Sequence, residues 1–216
     1  MQNDLVVVEK MMRYLRALIL IMFTLCGTTA YSASKTMLVL GDSLSAEYGL
    51  ARGTGWVSLL EKKLKAEKID AAIVNASISG ETTSGGKTRL QPLLLKHRPD
   101  IVVIELGAND GLRGLSLAST EANLRAMITA SQKAQAKVLL IGMQIPPNYG
   151  GDYTRQFAGV FPKLAKQTKV SLVPFLLDNL ADQPQLFQSD RIHPTSEAQP
   201  LMLDGVWPYL KPLLTK

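Results

Sequence analysis

The sequence predicts a single α/β domain built on a parallel sheet of five strands. Short apolar runs alternate along the chain with helical patterns, and this alternation is typical of parallel sheets whose strands are connected by helices. The run Ile101–Glu105 is nearly all apolar, as expected for a strand that is covered on both faces. The 216 residues, 46% of them hydrophobic, suffice for one domain with a sizeable core.

The strands are predicted from the apolar runs themselves. They are expected at residues 36–40, 71–74, 101–105, 138–141 and 171–174. No internal repeat, low-complexity tract or linker separates these runs, so all five strands are assigned to one sheet.

The helices are predicted from apolar residues at three- and four-residue spacing between the strands. They are expected at 55–68, 82–97, 120–135, 154–168 and 195–210. The first helix places Trp56, Leu60 and Leu64 at four-residue spacing. The second is expected to break at Pro92, because a proline cannot donate in a helix interior and more readily starts a new segment. Ser119 is expected to cap the third helix, since a serine oxygen can accept from a free N–H group of the first turn.

The N-terminal segment has the layout of a secretory signal. Arg13 and Arg16 precede an apolar run at 17–26, and small residues follow at 28–33. This order of basic, apolar and small residues is typical of a signal peptide, and the apolar run is shorter than the ~20 residues that span a bilayer. Cleavage is expected within 30–34.

We therefore expect residues 1–33 to be removed and residues 34–216 to form the folded domain, in the periplasm or outside the cell. Met11 or Met12 makes a more ordinary translation start than Met1, because the preceding residues add nothing to a signal. A lipoprotein signal that ends at Cys26 is the alternative, although a bulky leucine stands before this cysteine where a small residue is usual.

The basic composition does not indicate a nucleic-acid interface. The net charge is +6 and the pI is about 9.4, but the lysines are interleaved with acids, as at 61–68, where they indicate a solvated helix face. No nucleic-acid motif accompanies the charge, so we expect no nucleic-acid partner and at most a transient contact with an anionic membrane surface. Cys26, the only cysteine, would leave with the signal, which excludes disulfides and cysteine nucleophiles from the mature chain.

Polar motifs follow each of the five predicted strands. They are Ser43, Gly80, the segment 107–110, the segment 146–150 and the segment 190–193. In open parallel sheets, ligands bind in the crevice beyond the carboxyl ends of the strands. The sequence therefore predicts one site at this edge of the sheet.

Ser43 and His193 are the predicted nucleophile and base. A serine hydroxyl is a poor nucleophile and needs an adjacent base, and the chain has only two histidines. The other, His97, lies at the end of a predicted helix, where a surface cation is favourable. Asp190 precedes His193 by three residues and can orient the imidazole by accepting a hydrogen bond from its other nitrogen.

Attack on an acyl carbon also needs donors for the negative oxygen that develops. The expected donors are the N–H groups of Ser43 and Gly80 and the side-chain amide of Asn109, since a glycine permits close backbone approach. Asp42 is expected to brace the turn beside the nucleophile by accepting backbone hydrogen bonds. Asp110 is expected to organise its own loop.

Apolar residues near these motifs are candidates for an acyl pocket. They are Leu112, Leu115, Ile145, Pro146 and Tyr149. Ordinary loop packing is the alternative interpretation of this group.

Four sequence blocks resemble those of the SGNH (GDSL) hydrolases. They are Gly-Asp-Ser-Leu at 41–44, Gly80, Gly-x-Asn-Asp at 107–110 and Asp-x-x-His at 190–193. The similarity extends over 36–213 and is greatest to the periplasmic thioesterase I/protease I/lysophospholipase L1 branch, which includes arylesterases. The resemblance implies a flavodoxin-like, three-layer α/β/α fold and no metal or cofactor.

The same resemblance assigns roles to individual residues. It implies a triad of Ser43, His193 and Asp190, and an oxyanion hole formed by Ser43, Gly80 and Asn109. Glu47 departs from the family pattern, because related sequences often have a small residue there, and this position is expected at the mouth of the site.

The activity implied is that of a serine esterase or thioesterase that works through an acyl-enzyme. Its partners would be small-molecule substrates: fatty acyl-CoA, lysophospholipid, and aryl or short-chain esters. The protein would act as a monomer or weak oligomer. Two alternatives remain on the same scaffold, namely a carbohydrate O-acetylesterase and a non-catalytic binder of acyl groups or lipids.

Overall fold

The computed structural model describes residues 11–13 and 34–215. Residues 11–13 are helical, whereas the rest of the predicted signal segment, with Cys26 and the expected cleavage site, lies outside the described residues. The translation start therefore remains a prediction. Within the two described stretches, no helix is long and apolar enough to cross a membrane.

The domain is built on a parallel sheet of five strands, which confirms the predicted fold class. The strands are β1 (Lys35–Gly41), β2 (Ala71–Asn75), β3 (Ile101–Glu105), β4 (Lys137–Ile141) and β5 (Ser171–Val173). Their order is β2-β1-β3-β4-β5, and every neighbouring pair is parallel. The chain reverses its direction of travel across the sheet between β1 and β3, and open sheets bind ligands at such a switch point. The register pairs Gly41 with Glu105, so the loops that follow β1 and β3 start side by side.

Helices cover both faces of the sheet and complete three layers. They are α1 (Trp56–Ala66), α2 (Thr83–His97), α3 (Ala108–Leu112), α4 (Leu117–Lys133), α5 (Gly151–Thr168) and α6 (Gln199–Thr215), with short 3₁₀ turns at Pro147–Tyr149, Pro184–Leu186 and Ser196–Ala198. Helix α1 packs against α6 on one face, while α2, α4 and α5 pack in a row on the other.

Pro92 does not interrupt α2, so the predicted break is wrong. The helix is continuous with Pro92 inside it. The proline deprives the carbonyl of Thr88, four residues earlier, of its helical hydrogen bond. Both residues are exposed, so water can solvate the free carbonyl, and the buried face continues through Leu90 and Leu94.

The start of α4 also differs from the prediction. Ser116, not Ser119, caps the helix, because its side chain accepts from the Ser119 N–H at 3.4 Å. The final helix begins at Gln199, after a 3₁₀ turn, and runs to Thr215 instead of spanning 195–210. Helix α3 was not predicted, since five residues are too few to show a helical period.

The central strands β1 and β3 are buried beneath the loops that follow them. Residues 37–40 of β1 are fully buried, and all five residues of β3 are buried, as predicted for a strand covered on both faces. Trp56, Phe157 and Phe161 fill the space between the sheet and the helices. Glu105, at the end of β3, is only 1% exposed, which places a carboxyl group inside the core directly below the first loop.

Candidate active site

A cavity of about 1070 Å³ opens at the carboxyl ends of the strands, where the site was predicted. Loops that follow β1, β3, β4 and β5 line it, and most of the lining side chains are apolar. Ser43 and His193 belong to the lining. The cavity therefore places a hydroxyl and an imidazole beside a space that suits an acyl chain.

The side chains of Ser43, His193 and Asp190 form one hydrogen-bonded chain. Ser43 Oγ lies 2.9 Å from His193 Nε2, and His193 Nδ1 lies 2.7 Å from Asp190 Oδ2. A carboxylate at Nδ1 favours the tautomer that carries its proton there, which leaves Nε2 free to accept the hydroxyl proton. The fold thus unites a hydroxyl and an imidazole that are 150 residues apart in the sequence.

Asp190 is held as an anion by hydrogen bonds. Its Oδ1 accepts from the Ile192 N–H at 2.9 Å and from the His193 N–H at 3.0 Å. Burial opposes ionisation, but the hydrogen bonds from the His193 side chain and from these two backbone groups outweigh it and lower the pKa of Asp190 to about 2. The group is therefore charged at any pH near neutrality.

Asp42 braces the turn that carries Ser43, as predicted. Its Oδ1 accepts from the Leu44 N–H at 3.0 Å, and its Oδ2 accepts from the Asn109 side-chain amide at 3.1 Å. Burial raises the pKa of Asp42 to about 6, in spite of these two hydrogen bonds. The side chain links the loop after β1 to the loop after β3.

Glu105 supports the same turn from below, and the sequence analysis missed this role. Its Oε2 accepts from the Ser45 hydroxyl at 2.8 Å and from the Asp42 N–H at 3.3 Å. Burial, and then the charge of Asp42, raise the pKa of Glu105 well above its usual value. A glutamate at the end of an otherwise apolar strand was the signal that could have identified it.

Two backbone donors of the expected oxyanion hole are available. Within 34–215, the N–H groups of Ser43 and Gly80 donate to no protein acceptor. Gly80 has a φ of 77°, a conformation that glycine adopts at little cost. Ser43 lines the cavity, whereas Gly80 is exposed and lies outside the lining.

Arg113 connects the other predicted oxyanion residues and was not foreseen. Its Nη2 donates to the Gly80 carbonyl at 3.0 Å and lies 3.4 Å from Asn109 Oδ1. Because the oxygen of the Asn109 amide faces Arg113 and one amide proton faces Asp42, the second amide proton remains for an oxyanion. An arginine three residues after the Asn-Asp pair was the available signal.

Asp110, which was predicted to organise its own loop, instead links the short helix α3 to the starts of α2 and α4. It accepts from the Thr83 N–H at 2.9 Å and from the hydroxyls of Thr83 and Thr120 at 2.5 and 3.2 Å. Gly107, at the start of this loop, has a φ of 123°, and a Cβ there would lie 3.2 Å from the Phe161 ring. Asp110 and Gly107 lie on either side of Asn109 in the chain, so their contacts position this residue.

The predicted acyl pocket is only partly correct. Leu112, Ile145 and Pro146 line the cavity. Leu115 and Tyr149 do not, since their side chains turn to the surface and are 42% and 41% exposed. Both lie in short turns whose side-chain directions the sequence pattern does not determine.

Glu47 does not line the cavity, so the departure from the family pattern leaves the lining unchanged. Its carboxylate turns into its own loop and accepts from the N–H groups of Gly53 and Gly55 and from the Ser58 hydroxyl, at 2.8–3.1 Å. Burial opposes ionisation, but these hydrogen bonds prevail and lower the pKa of Glu47. Its φ of 59° lies in the left-handed region, which glycine adopts at less cost than a residue with a Cβ.

His97 stands apart from this site. It is the last residue of α2, at the amino-terminal edge of the sheet where β3 is about to begin. Ser43 lies at the opposite edge, so His97 is not the base for this serine.

Known proteins share both the sequence and the fold. Residues 39–200 match the GDSL-like lipase/acylhydrolase family. Esterase TesA of Pseudomonas aeruginosa is 50% identical over 186 residues, which cover 86% of this chain and 92% of the relative. A crystal structure of TesA has a TM-score of 0.81 at 50% identity, and the match covers 83% of this chain and 99% of that one.

Two further relatives extend the comparison. Thioesterase 1/protease 1/lysophospholipase L1 of Escherichia coli is 41% identical over 193 residues, which cover 89% of this chain and 91% of the relative. The psychrotrophic esterase EstA of Pseudoalteromonas sp., in a structure inhibited by monoethylphosphonate, is 43% identical with a TM-score of 0.80, and covers 84% of this chain and 100% of that one. This chain belongs to the GDSL-like lipase/acylhydrolase, or SGNH, family and is an esterase of that family.

Proposed function

We propose that the protein hydrolyses acyl esters and thioesters with Ser43 as the nucleophile, His193 as the general base and Asp190 as the group that orients the imidazole. The observation that carries this proposal is the hydrogen-bonded chain of these three side chains at the wall of an apolar cavity. A protein that only bound acyl groups would have no need of a nucleophile paired with a base.

Acylation follows from the geometry. His193 Nε2 takes the hydroxyl proton as Ser43 Oγ bonds to the acyl carbon. In this proposal the oxygen that becomes negative accepts from the N–H groups of Ser43 and Gly80 and from the Asn109 amide. Asp190 stabilises the imidazolium that forms. The bond to the leaving group then breaks, and the alcohol or thiol takes the proton from Nε2.

Deacylation repeats these steps with water. A water molecule gives a proton to His193 Nε2 and attacks the acyl carbon of the Ser43 ester. The intermediate collapses, the carboxylic acid leaves, and the proton on Nε2 returns to Ser43 Oγ.

The substrate class follows from the cavity. Its apolar lining and its volume of about 1070 Å³ suit the acyl part of fatty acyl-CoA, lysophospholipid, and aryl or short-chain esters. The names thioesterase and lysophospholipase of the Escherichia coli relative support the first two. We expect kcat/KM to rise by up to about fourfold for each methylene that enters the cavity, because burial of one CH₂ stabilises by about 0.8 kcal/mol. A strict preference for acetyl esters in this series would instead favour the carbohydrate O-acetylesterase.

Replacement of Ser43 tests the catalytic assignment. Ser43→Ala should fold normally and lower kcat for p-nitrophenyl butyrate by about 10⁵–10⁶-fold. Ser189→Ala is the matched control, since Ser189 also lines the cavity but the imidazole is hydrogen-bonded to Ser43 and Asp190, and it should keep most of the activity. Near-normal hydrolysis by folded Ser43→Ala would refute the proposal.

Export is part of the proposal. The signal-like order of residues before position 34 supports a periplasmic or secreted enzyme. N-terminal sequencing of the protein purified from its native cells should find the first residue within 31–34. Recovery of the uncut chain from the cytoplasm would contradict it.

A further inference from the structure

An aromatic ring lies against the imidazole of His193. The ring centroids of Tyr48 and His193 are 4.3 Å apart, with an angle of 38° between the ring planes. The Tyr48 side chain is 49% exposed, and 18% of the His193 side chain is exposed. Part of the imidazole surface that water could otherwise reach is therefore covered by a tyrosine.

This contact matters most when the imidazole is charged. His193 carries a positive charge after it has taken the Ser43 proton, and an aromatic face attracts a cation within about 6 Å of its centroid. The charged or titratable groups around His193 are Asp190 and Arg191 in its own loop, with Asp42 and Tyr48 in the loop after β1. Tyr48 is the member of this set that supplies a ring face.

Gln188 connects Tyr48 to the loop of His193 through hydrogen bonds. The Gln188 side-chain amide donates to the Tyr48 carbonyl at 3.0 Å and to the Pro194 carbonyl at 3.1 Å. Its backbone N–H donates to the His193 carbonyl at 2.7 Å. Gly49, which follows Tyr48, has a φ of 70°, and a Cβ there would collide with the Gln188 side chain. Gln188 thus joins the two loops beside the ring contact.

Glu47 fixes the other end of the same loop. Glu47 directly precedes Tyr48, and its carboxylate accepts hydrogen bonds from Gly53, Gly55 and Ser58. These bonds hold the segment 47–55 against the start of α1. This is the position at which the sequence departs from the family pattern, and the catalytic steps described above do not use it.

We propose that Tyr48 is a positioning residue that restrains the His193 imidazole and stabilises its charged form, and that the Glu47 carboxylate holds Tyr48 in place through the 47–55 loop. The inference rests on the proposed function, because it assumes that His193 is the base. It adds a second source of imidazolium stabilisation to Asp190.

Replacement of Tyr48 by residues with and without a ring tests the contact. Tyr48→Leu should lower kcat by about two- to fivefold, leave KM within about twofold, and move the acid limb of the kcat/KM profile to lower pH by about 0.4–0.7 units. The shift is downward because the imidazolium loses a stabilising contact. Tyr48→Phe keeps the ring and should restore both values.

A double-mutant cycle tests the role of Glu47. Glu47→Gln removes the negative charge and one acceptor from the N–H groups of the loop, and it should lower kcat by no more than Tyr48→Leu does. In the Tyr48→Leu background the same change should have almost no effect on kcat, because the ring it positions is gone. Glu67→Gln is the matched control, since Glu67 pairs with surface lysines at the far end of α1.

The outcomes separate this inference from the proposed function. If wild type hydrolyses the ester and Ser43→Ala does not, the function stands. An unchanged pH profile and kcat in Tyr48→Leu would then overturn the positioning role alone. Equal effects of Glu47→Gln in both backgrounds would overturn the link from Glu47 to Tyr48. Tyr48→Met, also without a ring, provides the same test if Tyr48→Leu does not fold.

Discussion

Replacement of Asp190 by asparagine probes how this structure orients its base. Oδ1 of Asp190 accepts from two backbone N–H groups, while Oδ2 faces His193 Nδ1. If the introduced asparagine keeps its oxygen on the backbone groups, its NH₂ faces Nδ1, and Nδ1 must become the acceptor. The ring proton then moves to Nε2, where it blocks acceptance of the Ser43 proton.

The alternative orientation of the amide is also unfavourable. Turning the amide oxygen towards Nδ1 would face the NH₂ towards the N–H groups of Ile192 and His193. Both hydrogen bonds are exposed to water, so their loss costs about 0.5–1.5 kcal/mol each. The productive form would therefore lie about 1–3 kcal/mol higher, which is about fivefold to 160-fold in rate. Loss of the anion that stabilises the imidazolium adds to this, and we expect Asp190→Asn to lower kcat by about 10⁴-fold.

The assay is p-nitrophenyl butyrate hydrolysis under saturating substrate, with circular dichroism to check the fold. Asp204→Asn, at an exposed position of α6, is the matched control and should stay within about twofold of wild type. If folded Asp190→Asn lost less than about tenfold, the tautomer argument would be wrong, and a different group would have to orient His193.

Three further changes test separate parts of the site. Asn109→Ala should lower kcat by about 10²–10³-fold with little change in KM, because it removes one oxyanion donor; an unchanged kcat would remove Asn109 from that role. Because the folded pKa of Asp42 is about 6 and its unfolded value is about 3.9, wild type should lose about 2 kcal/mol of unfolding free energy relative to Asp42→Asn as the pH rises from about 4 to about 7. Parallel urea-unfolding curves across that range would contradict this burial effect. Leu112→Gln should flatten the rise of kcat/KM with acyl length, whereas Leu115→Gln, outside the cavity, should not; equal slopes in all three proteins would place the acyl chain elsewhere.

The sequence predicted the architecture because the apolar runs are short, regular and separated by helical spacing. Ser43, Asn109 and His193 could be assigned to one edge because each follows a strand, and parallel strands end at the same edge. The hydrogen-bond distances now show that Ser43 and His193 do meet. The sequence indicated this meeting because Ser43 comes directly after β1, and because His193 is one of only two histidines and stands three residues after Asp190.

Other features depend on neighbours that a sequence does not reveal. The support that Glu105 gives to the Ser43 turn requires β1 and β3 to be adjacent with Gly41 opposite Glu105, and the order of strands cannot be read from their spacing. The effect of Pro92 on α2 was predicted wrongly, because the free energy that a proline costs a helix depends on whether the carbonyl left without a hydrogen bond, here that of Thr88, is solvated. Tyr149 was misplaced because turn residues have no periodic pattern to set their direction.

The central claim is that the fold makes Ser43 nucleophilic by bringing His193 to its hydroxyl, and active-site labelling measures this most directly. A fluorophosphonate should attach to the folded wild-type protein once, at Ser43, as read by intact mass and peptide mapping. His193→Gln should react at least about 10³-fold more slowly, because the hydroxyl has lost its base. Labelling at another residue, or an equal rate in His193→Gln, would contradict the account.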